Sequence, residues 1–204
     1  MLGKKIYIFD DIVDIKCQEN IKNILLGETL YRKKRFPWYF IEDVTAAGDD
    51  DSQHRPAMGH VFIDYDHDSP PDKAKSIVES DFHEMVLPIL ESSCRKMSVN
   101  NIGLLQGRSF LQLPLNIKDR SVDRPHRDMY ETNNFFVVLY YVCDSDGDTI
   151  IYNETGSSDK YTLKQKITPK QGRVAIFDGC LYHTAEQPLN NVRCVINYNL
   201  GLRY

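Results

Sequence analysis

Residues 135–152 read FFVVLYYVCDSDGDTIIY. Nine aromatic, β-branched or otherwise apolar residues are followed by the breaker DSDGD and a second β-type run, with no helical period between them. The same alternation fills the rest of this half of the chain. Residues 107–115 precede the stretch, and 161–167, 173–177, 181–185 and 193–200 follow it, separated by NETGSSD, TPKQG, FDG and QPLNN. Many short strands divided by turn chemistry, without intervening helices, argue for an antiparallel sandwich or barrel instead of parallel βαβ units.

Upstream the pattern differs. Residues 5–9 (KIYIF) are β-type, and in 13–26 Cys17, Ile21, Ile24 and Leu25 fall on one helical face that ends before Gly27. An aromatic run FPWYFI (36–41) leads into the polar loop AAGDDDSQHRPAMG (46–59), and HVFIDY (60–65) resumes strand character. Residues 74–97 carry Ile77, Val78, Phe82, Met85, Val86, Ile89, Leu90 and Cys94 on one stripe. This predicts a single long helix, kinked or broken near Leu87 by Pro88. The organisation expected is one domain over residues 1–204: supporting strands and helices in 1–104 and a β core in 105–204.

Composition bounds the function. With 25 basic and 29 acidic residues the formal charge is −4, which supplies no field for gripping a phosphate backbone, so nucleic acid is not supported as a partner. The five cysteines are odd in number and form no CxxC, as expected of free thiols in a reducing, cytoplasmic setting. The opening MLGKKIYIFDDIVD lacks a signal-peptide core and no apolar run reaches spanning length, so no membrane partner is expected.

Of the six histidines, only one begins an HxD: His126-Arg127-Asp128. On an extended segment positions i and i+2 project to one side, so His126 and Asp128 can reach one ion while Arg127 points away. A third ligand must come from elsewhere, and His183, in FDGCLYHTAEQP, lies 55 residues beyond Asp128. Two imidazoles and a carboxylate on one face of an octahedral metal leave three positions open, the arrangement of non-haem Fe(II) oxygenases. Ten residues after His183, Arg193 opens the last strand, where Arg193, Val195, Asn197 and Asn199 share a face opposite Cys194, Ile196, Tyr198 and Leu200. An Arg-Asn-Asn face suits a polar pocket better than a core.

This HxD, distal His and following Arg, set among LYYVCDSDGDTIIY (139–152) and TPKQGRVAIFDGCLYHTAEQP (168–188), resembles the Fe(II)/2-oxoglutarate-dependent dioxygenases, within them the prolyl-4-hydroxylase-like group. The match covers residues 105–204, with one departure: the family's Gly-Gly-acid-Thr signature reads Asp146-Gly147-Asp148-Thr149, without the first glycine. The resemblance implies a double-stranded β-helix (jelly-roll) core. It further implies Fe(II) on His126, Asp128 and His183, 2-oxoglutarate gripped by Arg193 and supported by Tyr141, O2 as a reactant and ascorbate as an accessory. The YY doublet leaves Tyr140 open as the supporting tyrosine, and Asn197, standing where relatives often carry a hydroxyl, is the third residue expected to bind the cosubstrate. The implied activity is hydroxylation of an unactivated C–H bond of a peptide, protein or small molecule, giving succinate and CO2. Asp128 favours hydroxylation over halogenation, since halogenating relatives lack that carboxylate.

Competing readings fare less well. A cupin-like binding protein typically presents HxH, which is absent. Nucleic-acid demethylases of the superfamily usually carry a second arginine six residues after the first, and here that position is Asn199. A catalytically inert adaptor has no physical need for the four site residues. His54, His60, His67 and His83 are expected to be structural. Residues 46–59 and 118–125 are the segments expected to cover the site.

Overall fold

The computed structural model describes residues 5–44, 55–66, 68, 75–100, 102–116 and 124–202. Its strands and helices run in the order β1 (Ile6–Phe9), α1 (Ile15–Leu25), β2 (Tyr39–Ile41), β3 (Ala57–Tyr65), β4 (Ser76–Val78), α2 (His83–Met97), β5 (Ile102–Gln112), β6 (Phe135–Tyr141), β7 (Thr149–Tyr152), β8 (Leu163–Ile167), β9 (Val174–Asp178), β10 (His183–Ala185) and β11 (Arg193–Leu202). The major sheet has the order β1-β9-β6-β11-β5-β3-β2, with β4 also on β3; the minor sheet is β10-β7-β8. All the pairings are antiparallel. The expected mostly-β, jelly-roll-type core with flanking helices is present, and strands of the N-terminal half extend its major sheet. Among the described residues, no helix is long and apolar enough to cross a membrane.

Alternation along β6 divides two apolar clusters. Phe136, Val138 and Tyr140 join Ile21, Ile24 and Leu25 of α1 and Val86, Ile89 and Leu90 of α2. Phe135, Val137, Leu139 and Tyr141 face the minor sheet with Ile151, Ile167 and Phe177. β6 is therefore buried on both faces, and each such side chain stabilises the fold by roughly 1.5–3 kcal/mol. α1 starts as its sequence demands: Asp14 caps it, its Oδ1 accepting from Cys17 N–H at 3.0 Å.

One expectation is corrected. The long helix predicted over 74–97 begins only at His83; Ser76–Val78 is an edge strand on β3, with Val78 opposite Ile63. Ile77 and Val78 are exposed, so the apolar stripe that suggested a helical face there reflects β-branched residues on a sheet edge. Pro88 does not interrupt α2. Its missing N–H would have served Glu84, an exposed residue of the first turn, so the helix loses one bond near its start.

Candidate metal centre

The three expected ligands converge. His126 and His183 exchange backbone hydrogen bonds (2.9 and 3.0 Å), an isolated bridge that ties the segment before β6 to β10. Their ring centroids lie 4.7 Å apart. Asp128 Oδ1 is 3.6 Å from His183 Nε2 and 4.0 Å from His126 Nε2. One donor atom from each residue lies within 4.8 Å of the others. Leu181 O faces His183 Nδ1 at 3.1 Å, and Arg124 O faces His126 Nδ1 at 3.4 Å. A carbonyl can only accept, so in the neutral rings these contacts favour the proton on Nδ1, which leaves each Nε2 lone pair for the shared space. Arg127 points away, its Nη2 donating to Thr132 O at 3.1 Å and to Asn133 Oδ1 at 2.8 Å.

Electrostatics favour a cation here. Burial works against a charged Asp128, but His183, His126 and the Asn197 amide more than offset it and hold the carboxyl well below the ordinary carboxylate range. Burial likewise disfavours a proton on His183, yet Asp128 raises its pKa on balance. At His126, burial and then the neighbouring His183 lower it. With both imidazoles neutral, a carboxylate oxygen and two Nε2 lone pairs converge on one space, a donor set that a bound cation would satisfy.

Arg193 sits deeper in the same cavity, 4% exposed. Its Nε donates to Gly147 O (3.0 Å), Nη1 to Gln112 Oε1 (2.9 Å) and Nη2 to Thr149 Oγ1 (2.8 Å). All three acceptors are neutral, and among the described residues no carboxylate lies at ion-pair distance from it; Asp148 is paired with Lys166 at 3.2 Å. Gly147 has a steric reason to be glycine: a Cβ there would meet Glu186 O at 2.7 Å and Arg193 Cδ at 3.1 Å.

Tyr141, not Tyr140, lies on the site face. Its hydroxyl donates to Thr149 Oγ1 at 2.8 Å, whereas Tyr140 points into the helix-side core. Asn197 also faces the cavity, and its Nδ2 donates to Asp128 Oδ2 at 3.1 Å. Thr149 and Gln112 were not singled out from the sequence. Thr149 could have been found as the last residue of the Asp-Gly-Asp-Thr stretch, but Gln112 carries no sequence signal, since only the pairing of β5 with β11 sets it opposite Arg193. Val137, Leu139, Phe177 and Val195 supply apolar walls to a cavity of about 760 Å³, counting its open mouth. Residues 46–54 and 118–123 of the two expected covering segments lie outside the described residues, as do His54 and His67. His60 and His83 stand apart from the cavity, His60 meeting Ser80 Oγ at 2.8 Å.

No family model and no curated protein matches the sequence. Solved structures do match. An oxidoreductase of the 2OG-Fe(II) oxygenase family from Burkholderia pseudomallei aligns with TM-score 0.66 at 12% identity, over 96% of this chain and 84% of that one. A Trichoplax adhaerens prolyl hydroxylase, in complex with a hypoxia inducible factor oxygen degradation domain peptide fragment, aligns with TM-score 0.58 at 12% identity, over 98% and 84%. HygX from Streptomyces hygroscopicus, with nickel, 2-oxoglutarate and hygromycin B bound, aligns with TM-score 0.55 at 14% identity, over 100% and 85%. The chain therefore has the jelly-roll fold shared by 2OG-Fe(II) oxygenases, prolyl hydroxylases among them.

Proposed function

We propose that the protein is an Fe(II)- and 2-oxoglutarate-dependent dioxygenase that hydroxylates an unactivated C–H bond of a peptide, protein or small molecule. The observation that carries this reading is the joint placement, in one cavity, of the His126, Asp128 and His183 donors and a buried Arg193 whose partners are all neutral. Two imidazoles and one carboxylate suit Fe(II) and leave three coordination positions toward the cavity. Arg193 suits the outer carboxylate of 2-oxoglutarate, because a fixed guanidinium can meet it with two parallel N–H donors.

Thr149 adds a third donor. Its oxygen accepts from both Arg193 and Tyr141, which uses its two lone pairs and leaves its own O–H to be given to an anion in the cavity. Bound iron and 2-oxoglutarate would together supply the oxidising chemistry from O2, with succinate and CO2 as coproducts. The chain's own contribution is to orient the ligands, grip the cosubstrate and line the reaction space with apolar side chains that keep water out. Solved structures of this fold hold a peptide in the Trichoplax protein and hygromycin B in HygX, and both substrate classes are retained for this chain.

Anaerobic addition of Fe(II) and 2-oxoglutarate tests the reading. A weak visible charge-transfer band should appear in the wild type and be lost in His126→Ala and Asp128→Ala. Succinate release under air, with ascorbate keeping the iron reduced, is the second readout. Folded protein that gives neither band nor succinate overturns the proposal.

A further inference from the structure

The two oxygens of Asp128 have separate neighbours. Oδ1 faces both imidazole nitrogens at 3.6 and 4.0 Å, while Oδ2 turns to the opposite side and accepts from Asn197 Nδ2 at 3.1 Å. The Asp128 side chain is only 14% exposed, so water has little access to replace that donor. The Asn197 backbone is held inside the sheet, because β11 pairs on both sides at this position, with Leu139 of β6 and Arg108 of β5. The hydrogen bond therefore joins the ligand-bearing segment, which is bridged to the minor sheet, to the centre of the major sheet. The amide does not take part in the Arg193 cluster: that guanidinium is bound by Gly147, Gln112 and Thr149.

A carboxylate can bind a divalent ion through one oxygen or both. If Asp128 were free to rotate, its second oxygen could swing onto the ion and take one of the three open positions. Resting on the iron-site reading above, we infer that Asn197 is a positioning residue for the metal centre: by pinning Oδ2 it restricts Asp128 to ligation through Oδ1 and keeps three positions open, and it does not hold the cosubstrate. Outer partners of this kind typically change metal affinity or activity by about 10- to 100-fold when removed.

The test uses metal and cosubstrate alone. Asn197→Leu keeps the volume and removes the donor, with Asn197→Ala as the second variant should Leu disturb folding as judged by circular dichroism. Calorimetric titration with Mn(II) is expected to show about 10-fold or more weaker binding in the variants, whereas 2-oxoglutarate affinity at saturating Mn(II) stays within about twofold. The visible d–d bands of the Co(II)-loaded protein should change shape in the variants, as they would not if Asn197 only packed. A crystal structure of the Mn(II)-loaded wild type should show Asp128 bound through Oδ1 with Asn197 still on Oδ2, and this measurement needs no variant. Unchanged Mn(II) affinity and Co(II) spectrum, a selective loss of 2-oxoglutarate affinity, or two-oxygen ligation in the wild type would each overturn the inference while leaving the iron-site reading intact. A wild type that binds no Mn(II) overturns both.

Discussion

Arg193 Nη2 donates to Thr149 Oγ1 at 2.8 Å in the buried end of the cavity, joining the first residue of β11 to the first residue of β7 across the two sheets. Thr149→Val preserves shape and removes the hydroxyl. With an Arg193 N–H and the Tyr141 O–H both losing their acceptor in a buried site, stability should fall by about 1–3 kcal/mol for each. Affinity for 2-oxoglutarate should fall by about tenfold, the effect of losing roughly one hydrogen bond to a charged group. Chemical denaturation and a 2-oxoglutarate titration at saturating Mn(II) check the two parts.

The adjacent tyrosines should respond oppositely to loss of their hydroxyls. Tyr141 donates to Thr149, but the Tyr140 hydroxyl is buried in the helix-side core and has no hydrogen-bond partner among the described residues. Tyr141→Phe should destabilise the protein by about 1 kcal/mol, and Tyr140→Phe should be neutral or stabilising, because it removes an unsatisfied polar atom. Paired urea unfolding curves decide this; equal destabilisation would contradict the alternation seen along β6.

Divalent metal should stabilise the fold by mass action. If Mn(II) binds only the native trio, 100-fold excess over its dissociation constant adds about 2.7 kcal/mol and raises the melting temperature. Chelation should reverse the rise, and neither His183→Ala nor Asp128→Ala should show it. A melting temperature indifferent to Mn(II) in the wild type would count against the metal centre.

Acid should loosen the attachment of β1. Asp10, just past that strand, accepts from Arg173 Nε at 2.7 Å and from Lys170 Nζ at 3.1 Å, and these cations lower its pKa to about 2. A carboxyl depressed in the folded state lends stability above its unfolded pKa, near 3.9, which is lost as pH falls toward 2. The pair is partly exposed, so the contribution should stay below about 1 kcal/mol. Asp10→Asn should flatten the pH dependence of stability between about pH 4 and 2, measured by denaturation at stepped pH.

Much of the fold is legible in the sequence because its strands have local causes. FFVVLYY is a strand with or without knowledge of its neighbours, and DSDGD must turn. The parity of Arg193, Val195 and Asn197 follows from the pleat alone, and these three do line the cavity. Residues 76–78 mislead for the opposite reason: an apolar stripe on a short edge strand imitates a helical face, and only pairing with β3 distinguishes them.

The site divides in the same way. Residue types at spacing nominated His126, Asp128, His183 and Arg193, since the chemistry of imidazoles, a carboxylate and a guanidinium belongs to the residues themselves. The choice of Tyr141 over Tyr140, the service of Gln112 and Thr149 to Arg193, and the attachment of Asn197 to Asp128 depend on which strands lie side by side. Gln112 and Arg193 are 81 positions apart and Asn197 and Asp128 are 69, so no local pattern records either contact. Most strands and the candidate donors can be read along the chain, because backbone propensity and side-chain chemistry are local. Which oxygen of Asp128 faces the imidazoles and which is held by Asn197 is set by the packing, because that orientation exists only once two sheets have closed around it.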